Sequence, residues 1–303
     1  MVAVGRPPNG GETARTRALR RNARGRKSRP VMMSADPPSV SPPEPRRYGA
    51  INWIGLSTLV AREVRRFLKV GTQTVAAPAV TTLLLLAVFA LALGGAVRDI
   101  AGVRFAEFLA PGLILMAMVQ NAFANSSSSL IIAKVQGNIV DSLMPPLSAG
   151  ELTVGFALGG VVRGLVVGGA VALCLAPFVR LHVHAPAFIL FHGLAATLLL
   201  SLLGVVAGIW AQKFDHIAAF TNFVVTPLAF LSGTFYTIDR LPPPWHAIAL
   251  ANPFFYMIDG FRFGFLGHHD GNLAIGVVAM TVANLALLAL CHRLFATGYR
   301  LRA

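Results

Sequence analysis

The chain has 303 residues, of which 55% are hydrophobic and only 13% are charged. This composition excludes an ordinary soluble domain of the same length, in which about a quarter of the residues are charged. The two cysteines, Cys174 and Cys291, fall in separate apolar stretches without CxxC spacing, which excludes a disulfide framework and argues against a thiolate metal site.

Residues 1–50 form a basic tail that holds eleven Arg or Lys residues against three acids. Its Pro, Gly, Ser and Arg content is typical of a disordered cytosolic extension whose charge keeps the N-terminus inside. Binding to anionic lipid or nucleic acid is the alternative, although we expect no specific nucleic-acid partner. Residues 51–303 are predicted to form one transmembrane domain.

The segment 52–70 sorts into two faces at helical spacing. The cations lie on one face: Arg62, Arg65, Arg66 and Lys69. The apolar residues share the other: Trp53, Leu56, Leu59, Val60, Val64 and Phe67. This pattern predicts an amphipathic helix that lies in the cytosolic membrane interface, with its cations at the lipid headgroups.

Long uncharged stretches follow, and each exceeds the roughly 20 residues that a helix needs to cross the bilayer core. Five of them have no charge, and a sixth is broken only by Arg163: 70–97, 108–133, 181–212, 216–238, 271–292 and 152–179. We therefore predict an all-α membrane protein with six transmembrane helices.

The second span turns polar toward its inner end, where it carries Gln120, Asn121 and Asn125. Polar side chains in lipid seek partners on other helices, so this face is predicted to face the bundle interior or a subunit interface. Together with Arg163 these residues could line a translocation path, and helix–helix adhesion is the alternative. An intramembrane cation such as Arg163 is costly unless it reaches water or a polar neighbour.

Glycines recur at four-residue spacing in the third span, at Gly155, Gly159, Gly160, Gly164 and Gly168. Small residues at that spacing allow two helices to approach closely. Farther along the chain, His182, His184 and His192 have no acid or cysteine nearby in the sequence, and we predict no metal site.

A polar loop, AKVQGNIVDSLMPPLSAGELTVG, joins the second and third spans at 133–155. It predicts a short amphipathic helix over 136–144 that ends at Pro145-Pro146. Ser148 and Glu151 then have the spacing of a capping box for the next helix. Ile139 and Leu143 lie four residues apart, so we expect them to be the apolar anchors with which this helix docks on a soluble partner.

The fifth span contains Pro227, which is expected to kink it. The segment after it, TFYTIDRLPPPWHAIALANPFFYMIDGFRFGFLG at 234–267, is too broken by proline to cross the membrane and too apolar to lie in water. It predicts two short helices that re-enter the outer leaflet, with Trp245 and Tyr256 at the interface. With both termini cytosolic, the inner side has eleven cations near the membrane against five outside, which obeys the positive-inside rule.

Two motifs in this order, the inner loop VQGNIVDSLMPPLSAGEL and the outer segment ending in NPFFYMIDGFRFGFLG, resemble the type-2 ABC exporter permeases. This ABC-2 family includes nodulation-factor, polysaccharide and daunorubicin-resistance-type export permeases, and the likeness covers about 53–301. The resemblance implies that the inner loop is a coupling helix that docks on a separate nucleotide-binding subunit. By position, the coupling residues would be Gln136, Gly137, Asn138, Ile139, Asp141, Leu143, Pro146 and Ser148.

Lys134 stands where this family commonly has an acid, which leaves the local ion pair open. The chain has no G-x-x-x-x-G-K-[ST] motif, so it is predicted not to be an enzyme, and ATP and Mg are expected on the partner subunit. The resemblance implies two permease copies, expected as a homodimer, with two ATPase subunits in a bacterial inner membrane. A passive channel or scaffold is the alternative, and an intramembrane hydrolase, for which a G-x-S-x-G motif is missing, is a distant third.

Overall fold

The computed structural model describes Gly49 and residues 51–93, 99–100, 102–238 and 241–301. The predicted basic tail, apart from Gly49, therefore lies outside the described residues. So do Arg98, Arg240 and Arg302, which entered the count of charges on the two sides of the membrane.

Helices dominate the described chain, and one two-stranded hairpin interrupts them. In chain order the elements are α1 (Trp53–Leu68), α2 (Gly71–Leu93), β1 (Asp99–Ile100), β2 (Val103–Arg104), α3 (Phe105–Val135), α4 (Ile139–Leu143), α5 (Ala149–Leu175), α6 (Pro186–Trp210), α7 (Phe214–Phe220), a π-helix (Thr221–Val225), α8 (Thr226–Phe230), α9 (Pro243–Ala251), α10 (Pro253–Leu266) and α11 (Leu273–Thr297). The two strands pair antiparallel, with Asp99 opposite Arg104.

Five of the described helices are long and apolar enough to cross a membrane: α2, α3, α5, α6 and α11. They coincide with five of the six predicted spans. At the remaining span the structure has a helical run in three pieces, from Phe214 to Phe230. Its π-helix, Thr221–Val225, directly precedes the turn that holds Pro227, because proline lacks an N–H and crowds the preceding carbonyls.

Helix α3 is the central element of the bundle and packs most extensively against α6 and α5. Its most apolar 18-residue window is 89% buried, whereas the corresponding windows of α2 and α11 are only 17% buried. The outer helices therefore present apolar side chains such as Leu91 and Val278 to the surroundings, as lipid-facing helices do.

The glycine spacing of α5 serves close approach within this one chain. A Cβ on Gly160 would lie 2.6 Å from the Ser126 hydroxyl of α3, and one on Gly164 would lie 2.8 Å from the Met118 carbonyl. Both distances are shorter than real Cβ contacts, so only glycine permits this separation of α5 from α3. The close approach predicted from the sequence is confirmed.

The two short helices predicted for the outer segment are present as α9 and α10. Asn252 separates them: its side chain accepts a hydrogen bond from the Phe254 N–H at 3.0 Å and donates one to the Leu228 carbonyl at 2.8 Å. Helix α10 packs against α3, α6 and α11, so this segment is part of the bundle's core. Trp245 is 54% exposed at the start of α9.

Candidate functional site

The polar loop between α3 and α5 folds around a single helical turn. Helix α4, Ile139–Leu143, is shorter than the predicted 136–144. Gly137 precedes it with a φ of 74°, a left-handed conformation that glycine adopts without strain and that allows the chain to turn at the end of α3.

A single carboxylate fixes the far end of this loop. Glu151 accepts a hydrogen bond from the Ser148 N–H at 2.6 Å, and the Ser148 hydroxyl accepts one from the Glu151 N–H at 3.2 Å. This is the capping box that the sequence predicted. The same carboxylate also accepts from the N–H of Asn52, whose side chain donates to the Pro146 carbonyl at 3.2 Å. The starts of α1 and α5 are thereby joined to the loop.

The predicted anchors of α4 do not both face outward. Ile139 is only 2% exposed and packs in a cluster with Leu59 and Leu130 of the neighbouring helices, while Leu143 is half-buried. Ile139 therefore packs on its own bundle and is not available to the soluble partner on which it was expected to dock, because a helix of one turn needs an apolar residue to hold it against the bundle. The exposed apolar residues are Val140, at 50%, and Met144, at 76%.

The other residues carried over to the loop by resemblance lie on its surface. They are Gln136, Gly137, Asn138, Asp141, Pro146 and Ser148. Lys134, for which the family pattern left the ion pair open, makes none within the described residues. Its ammonium donates instead to the carbonyls of Gly208, Ile209 and Ala211, where a cation stabilises the C-terminal end of α6.

The four residues proposed for a translocation path separate into three environments. The Arg163 guanidinium donates to the Asn121 side-chain oxygen at 3.1 Å, so the expected polar neighbour of this intramembrane cation is present. Gln120 is exposed beside them on α3. Asn125 is fully buried, and its side-chain oxygen accepts from Arg66 of α1 at 3.2 Å.

A buried acid attaches α1 to the bundle, and we call its surroundings the inner cluster: Glu63, Arg66, Asn125, Ser128 and Ser129. Glu63 is 1% exposed, accepts from the Ser129 hydroxyl at 2.8 Å and forms an ion pair with Arg66 at 3.0 Å. Arg66 also donates to the Asn125 carbonyl at 2.7 Å and to the Ser128 hydroxyl at 3.2 Å. The C-terminal part of α3 therefore binds α1 through charge-assisted hydrogen bonds.

Some residues of the apolar face predicted for α1 are buried against the protein, and others are exposed. Leu56, Leu59 and Phe67 are buried, and α1 lies directly on α5, where a Cβ on Gly159 would be 2.6 Å from the Cβ of Glu63. Trp53 is 68% exposed. Part of the face expected to contact lipid thus contacts α5 instead.

Comparison with known proteins identifies the family to which this arrangement belongs. Residues 55–266 match the family described as ABC-2 type transporter. The chain belongs to this family. It is 37% identical over 251 residues to the inner membrane transport permease YadH of Escherichia coli (strain K12), which covers 83% of this chain and 98% of that protein. It is also 28% identical over 208 residues to nodulation protein J of Rhizobium leguminosarum bv. viciae, which covers 65% of this chain and 79% of that protein.

The family assignment makes this chain a transport permease and an integral membrane protein. The ABC-2 membrane domain is not itself an ATPase, and permeases of this family normally work with an ATPase subunit. Among the residues that the structure describes, no three His, Cys, Asp or Glu side chains are grouped to hold a metal ion. His192 is buried in α6 with its Nδ1 3.1 Å from the Phe188 carbonyl, and His184 packs against the Phe263 ring.

This ABC-2 permease holds a second buried charge where α10 packs on α3, and we call its surroundings the outer cluster: Phe108, Asp259, Arg262 and Asp270. Arg262 is 1% exposed and donates to the carbonyls of Gly233 and Thr234 at 2.7 and 3.3 Å. Its guanidinium lies 3.9 Å from the centroid of the Phe108 ring of α3 and 3.9 Å from Asp270. Asp259 accepts from the N–H groups of Asp270 and Gly271.

The sequence analysis predicted neither the inner cluster nor the outer cluster. For the inner cluster a signal existed, because Glu63 lies four residues after Leu59 and four before Phe67, on the apolar face of α1. An acid at such a position needs a buried partner. For the outer cluster the signal was the pair Asp259 and Arg262, three residues apart in an otherwise apolar stretch, but the sequence did not indicate that Asp270, two backbone carbonyls and the Phe108 ring would surround Arg262.

Proposed function

We propose that this chain is the permease subunit of an ABC exporter in the bacterial inner membrane, which moves substrate outward with ATP that a separate subunit hydrolyses. The observation that carries the proposal is the loop between α3 and α5. It is held against the bundle by the buried Ile139 and by the contacts of Asn52 and Glu151 at its far end, yet it keeps an apolar pair, Val140 and Met144, exposed on its surface. A soluble domain that moves this loop would also move α1 and α5.

In the membrane we assign six spans, with both termini on the cytosolic side. The helical run from Phe214 to Phe230 is the fifth of them, and α9 and α10 lie in the outer leaflet. The excess of Arg and Lys on the assigned cytosolic side supports this orientation. The coupling loop, the inner cluster and the C-terminal end of α6 then share one side of the membrane.

The working assembly that we propose has two copies of this permease and two ATPase subunits, with ATP and Mg bound by the latter. Six helices are half of a transporter of this type. The substrate path runs along the open side of α3, where Gln120 is exposed and Asn121 holds Arg163 at 3.1 Å. Membrane lipid surrounds the remaining apolar surface.

For docking, we assign the anchor role to Val140 and Met144 in place of Ile139 and Leu143. They lie four residues apart, about one helical turn, so they share a face. Val140 is 50% exposed and Met144 is 76% exposed. The polar residues Gln136, Asn138 and Asp141 around them would fix the register of the complex more than its affinity.

The test is a pull-down of the cognate ATPase by the full-length permease carrying Val140→Asp together with Met144→Asp. Placing charges at two anchors that must be desolvated is expected to weaken binding roughly thirtyfold or more, with loss of transport. Phe214→Asp is the matched control, because Phe214 is 51% exposed just after α6 but lies outside the loop. Unchanged ATPase binding by the double variant would show that this loop is not the coupling element.

A further inference from the structure

Arg163 carries a positive charge at the middle of α5, one of the helices long enough to cross a membrane. This helix has 27 residues and is therefore about 40 Å long, so Arg163 lies about 20 Å from either end. An ion at that depth in a bilayer is costly unless another group compensates its charge. Arg163 therefore needs a compensating partner in the interior of the membrane.

The chain itself supplies only a neutral partner for this cation. The Arg163 guanidinium donates to the side-chain oxygen of Asn121 at 3.1 Å. It forms no ion pair with any acid that the structure describes. The acid of the inner cluster, Glu63, is already paired with Arg66 at 3.0 Å. Within the described part of the chain, the charge of Arg163 is left uncompensated.

The hydrogen bonds that are still unmade around Arg163 all require an acceptor. Three buried nitrogen atoms in this part of the bundle have no partner among the described residues: Nε of Arg163, Nε of Arg66 and the side-chain nitrogen of Asn125. Asn125 is one turn from Asn121 on α3, and all three atoms are N–H donors. Water would accept these hydrogen bonds but would leave the positive charge, whereas an oxyanion satisfies both requirements.

The surface beside Arg163 combines polar and apolar groups. Gln120, which precedes Asn121 on α3, is exposed, and Arg163 itself is half-buried. Val166, three residues after Arg163 on α5 and on the same side of that helix, is 42% exposed. An amide at this depth is not well accommodated by hydrocarbon. The surface therefore suits an amphipathic ligand, with an anionic group on the guanidinium and an apolar part over Val166.

A second copy of this chain does not supply the missing negative charge at this depth. The described helices α2, α6 and α11 contain no acid. In α3 and α5 the acids are Glu107, which is paired with Arg104, and Glu151, which caps the start of α5. Asp215 lies in the first turn of α7, at the end of the bundle where α5 begins, and hence also about 20 Å from the depth of Arg163.

We propose that Arg163 binds the anionic group of the exported substrate, which is an amphipathic molecule with one phosphate, sulfate or carboxylate group. Asn121 orients the guanidinium, and Gln120 offers an amide N–H beside it. This inference rests on the proposed export along α3, and it adds the sign of the substrate's charge and the residue that recognises it.

The first experiment measures binding without the ATPase. Purified full-length permease in phosphatidylcholine nanodiscs is photolabelled with a long-chain alkyl phosphate that carries a diazirine, or with the neutral dimethyl ester of the same compound. Mass spectrometry of the peptides then locates the label. We expect saturable labelling of α3 and α5 by the alkyl phosphate and no saturable labelling by the ester.

Variants of Arg163 test whether its charge is what the ligand contacts. Arg163→Gln should raise the concentration for half-maximal labelling about tenfold or more, because a hydrogen bond to a charged group is lost. Arg163→Lys keeps the charge and should retain most of the binding. Arg293→Gln is the matched control, because it removes an exposed cation near the end of α11 and should change the half-maximal concentration by less than about twofold.

The second experiment separates an exported substrate from a resident lipid. In the complex of permease and cognate ATPase, in the same nanodiscs, the alkyl phosphate should stimulate ATP hydrolysis, and Arg163→Gln should abolish this stimulation. Phosphatidylglycerol should neither stimulate hydrolysis nor compete with the label. Because photolabelling needs no ATPase, a permease that fails to bind an ATPase would refute the proposed function and still leave the Arg163 site open to measurement.

Four outcomes would overturn the inference. Equal labelling by the phosphate and its ester, or unchanged labelling of Arg163→Gln, would mean that the charge is not recognised. Full competition by millimolar inorganic phosphate would mean that the site selects the free ion. Competition by phosphatidylglycerol without stimulation by the alkyl phosphate would mean that a resident lipid occupies it. Disulfide cross-linking between Arg163→Cys in one copy and Asp215→Cys in another would mean that a second copy compensates the charge.

Discussion

The two clusters of this permease each surround a deeply buried charge, Arg262 in one and Glu63 in the other, and the two charges are stabilised in opposite ways. Arg262 in the outer cluster is 1% exposed and is enclosed by backbone carbonyls, two carboxylates and an aromatic ring. Glu63 in the inner cluster is also 1% exposed, but the side chain of its principal partner, Arg66, is 30% exposed.

The difference suggests that the outer cluster fixes α10 in place, whereas the inner cluster can tolerate a shift of α1. Among the described residues, the outer charge has no partner at an open surface, so a displacement of α10 leaves an unpaired ion in a region of low dielectric. The inner pair lies at an open surface, where Arg66 can exchange hydrogen bonds with water or a ligand as α1 shifts. A shift of α1 should therefore cost less ion pairing than a shift of α10.

The largest effect should come from removing the outer charge. Arg262→Ala strands Asp270 and Asp259 in a buried site, and breaking a buried ion pair in this way costs about 3–5 kcal/mol of unfolding free energy. Arg104→Ala is the control, since its ion pair with Glu107 involves a guanidinium that is 65% exposed and should contribute at most about 1 kcal/mol. Thermal unfolding of both variants in detergent measures the contrast, and equal losses would remove the distinction between the two clusters.

Removing the inner acid should cost less. Glu63→Ala deletes the hydrogen bonds from Ser129 and Arg66, which are bonds to a charged group worth about 1.5–3 kcal/mol in stability. Because the Arg66 side chain is 30% exposed and can turn toward water, we expect a loss at the low end of this range, and Glu63→Gln should recover part of it. If Glu63→Ala lost as much stability as Arg262→Ala, water would be excluded from the inner cluster as fully as from the outer cluster.

A smaller effect is expected where α1 lies on α5. Gly159→Ala places a methyl group 2.6 Å from the Glu63 Cβ, and because α1 lies at the surface and can move outward, the cost should be about 1 kcal/mol. Gly169→Ala meets nothing within 4 Å and should be neutral or stabilising by up to about 1 kcal/mol, from helix propensity. Urea unfolding of the Gly159→Ala and Gly169→Ala variants measures the difference. Equal free energies of unfolding would contradict the close packing of α1 on α5.

The smallest effect on stability should come from the cation between the two clusters. Arg163→Ala removes one hydrogen bond to Asn121 from a half-buried side chain, so the free energy of unfolding should fall by no more than about 1 kcal/mol. Binding of the ATPase should be unchanged, because Arg163 lies well within α5 and away from the loop. Transport assays then report on the substrate path alone, and reduced ATPase binding would contradict this placement.

Local features were predictable because they depend on residues close together in the sequence. The capping box at Ser148 and Glu151 needs only three-residue spacing, and the interruption at Pro227 follows from a missing N–H. Likewise, four uncharged runs and one run interrupted only by Arg163 located the five long helices that are candidate spans. The division of the outer segment into α9 and α10 followed from its prolines.

The orientation of α4 was not predictable, because helical spacing shows which residues share a face but not which face meets the bundle. Ile139 and Val140 are neighbours in the sequence, and their opposite exposures, 2% and 50%, depend on where α1 and α3 end in space. The sequence by itself determined the membrane class, the long helices, the loop and its cap. Only the tertiary structure decided the partners of Glu63, Lys134 and Arg262, because each partner lies on a distant segment that packing brings within hydrogen-bonding distance.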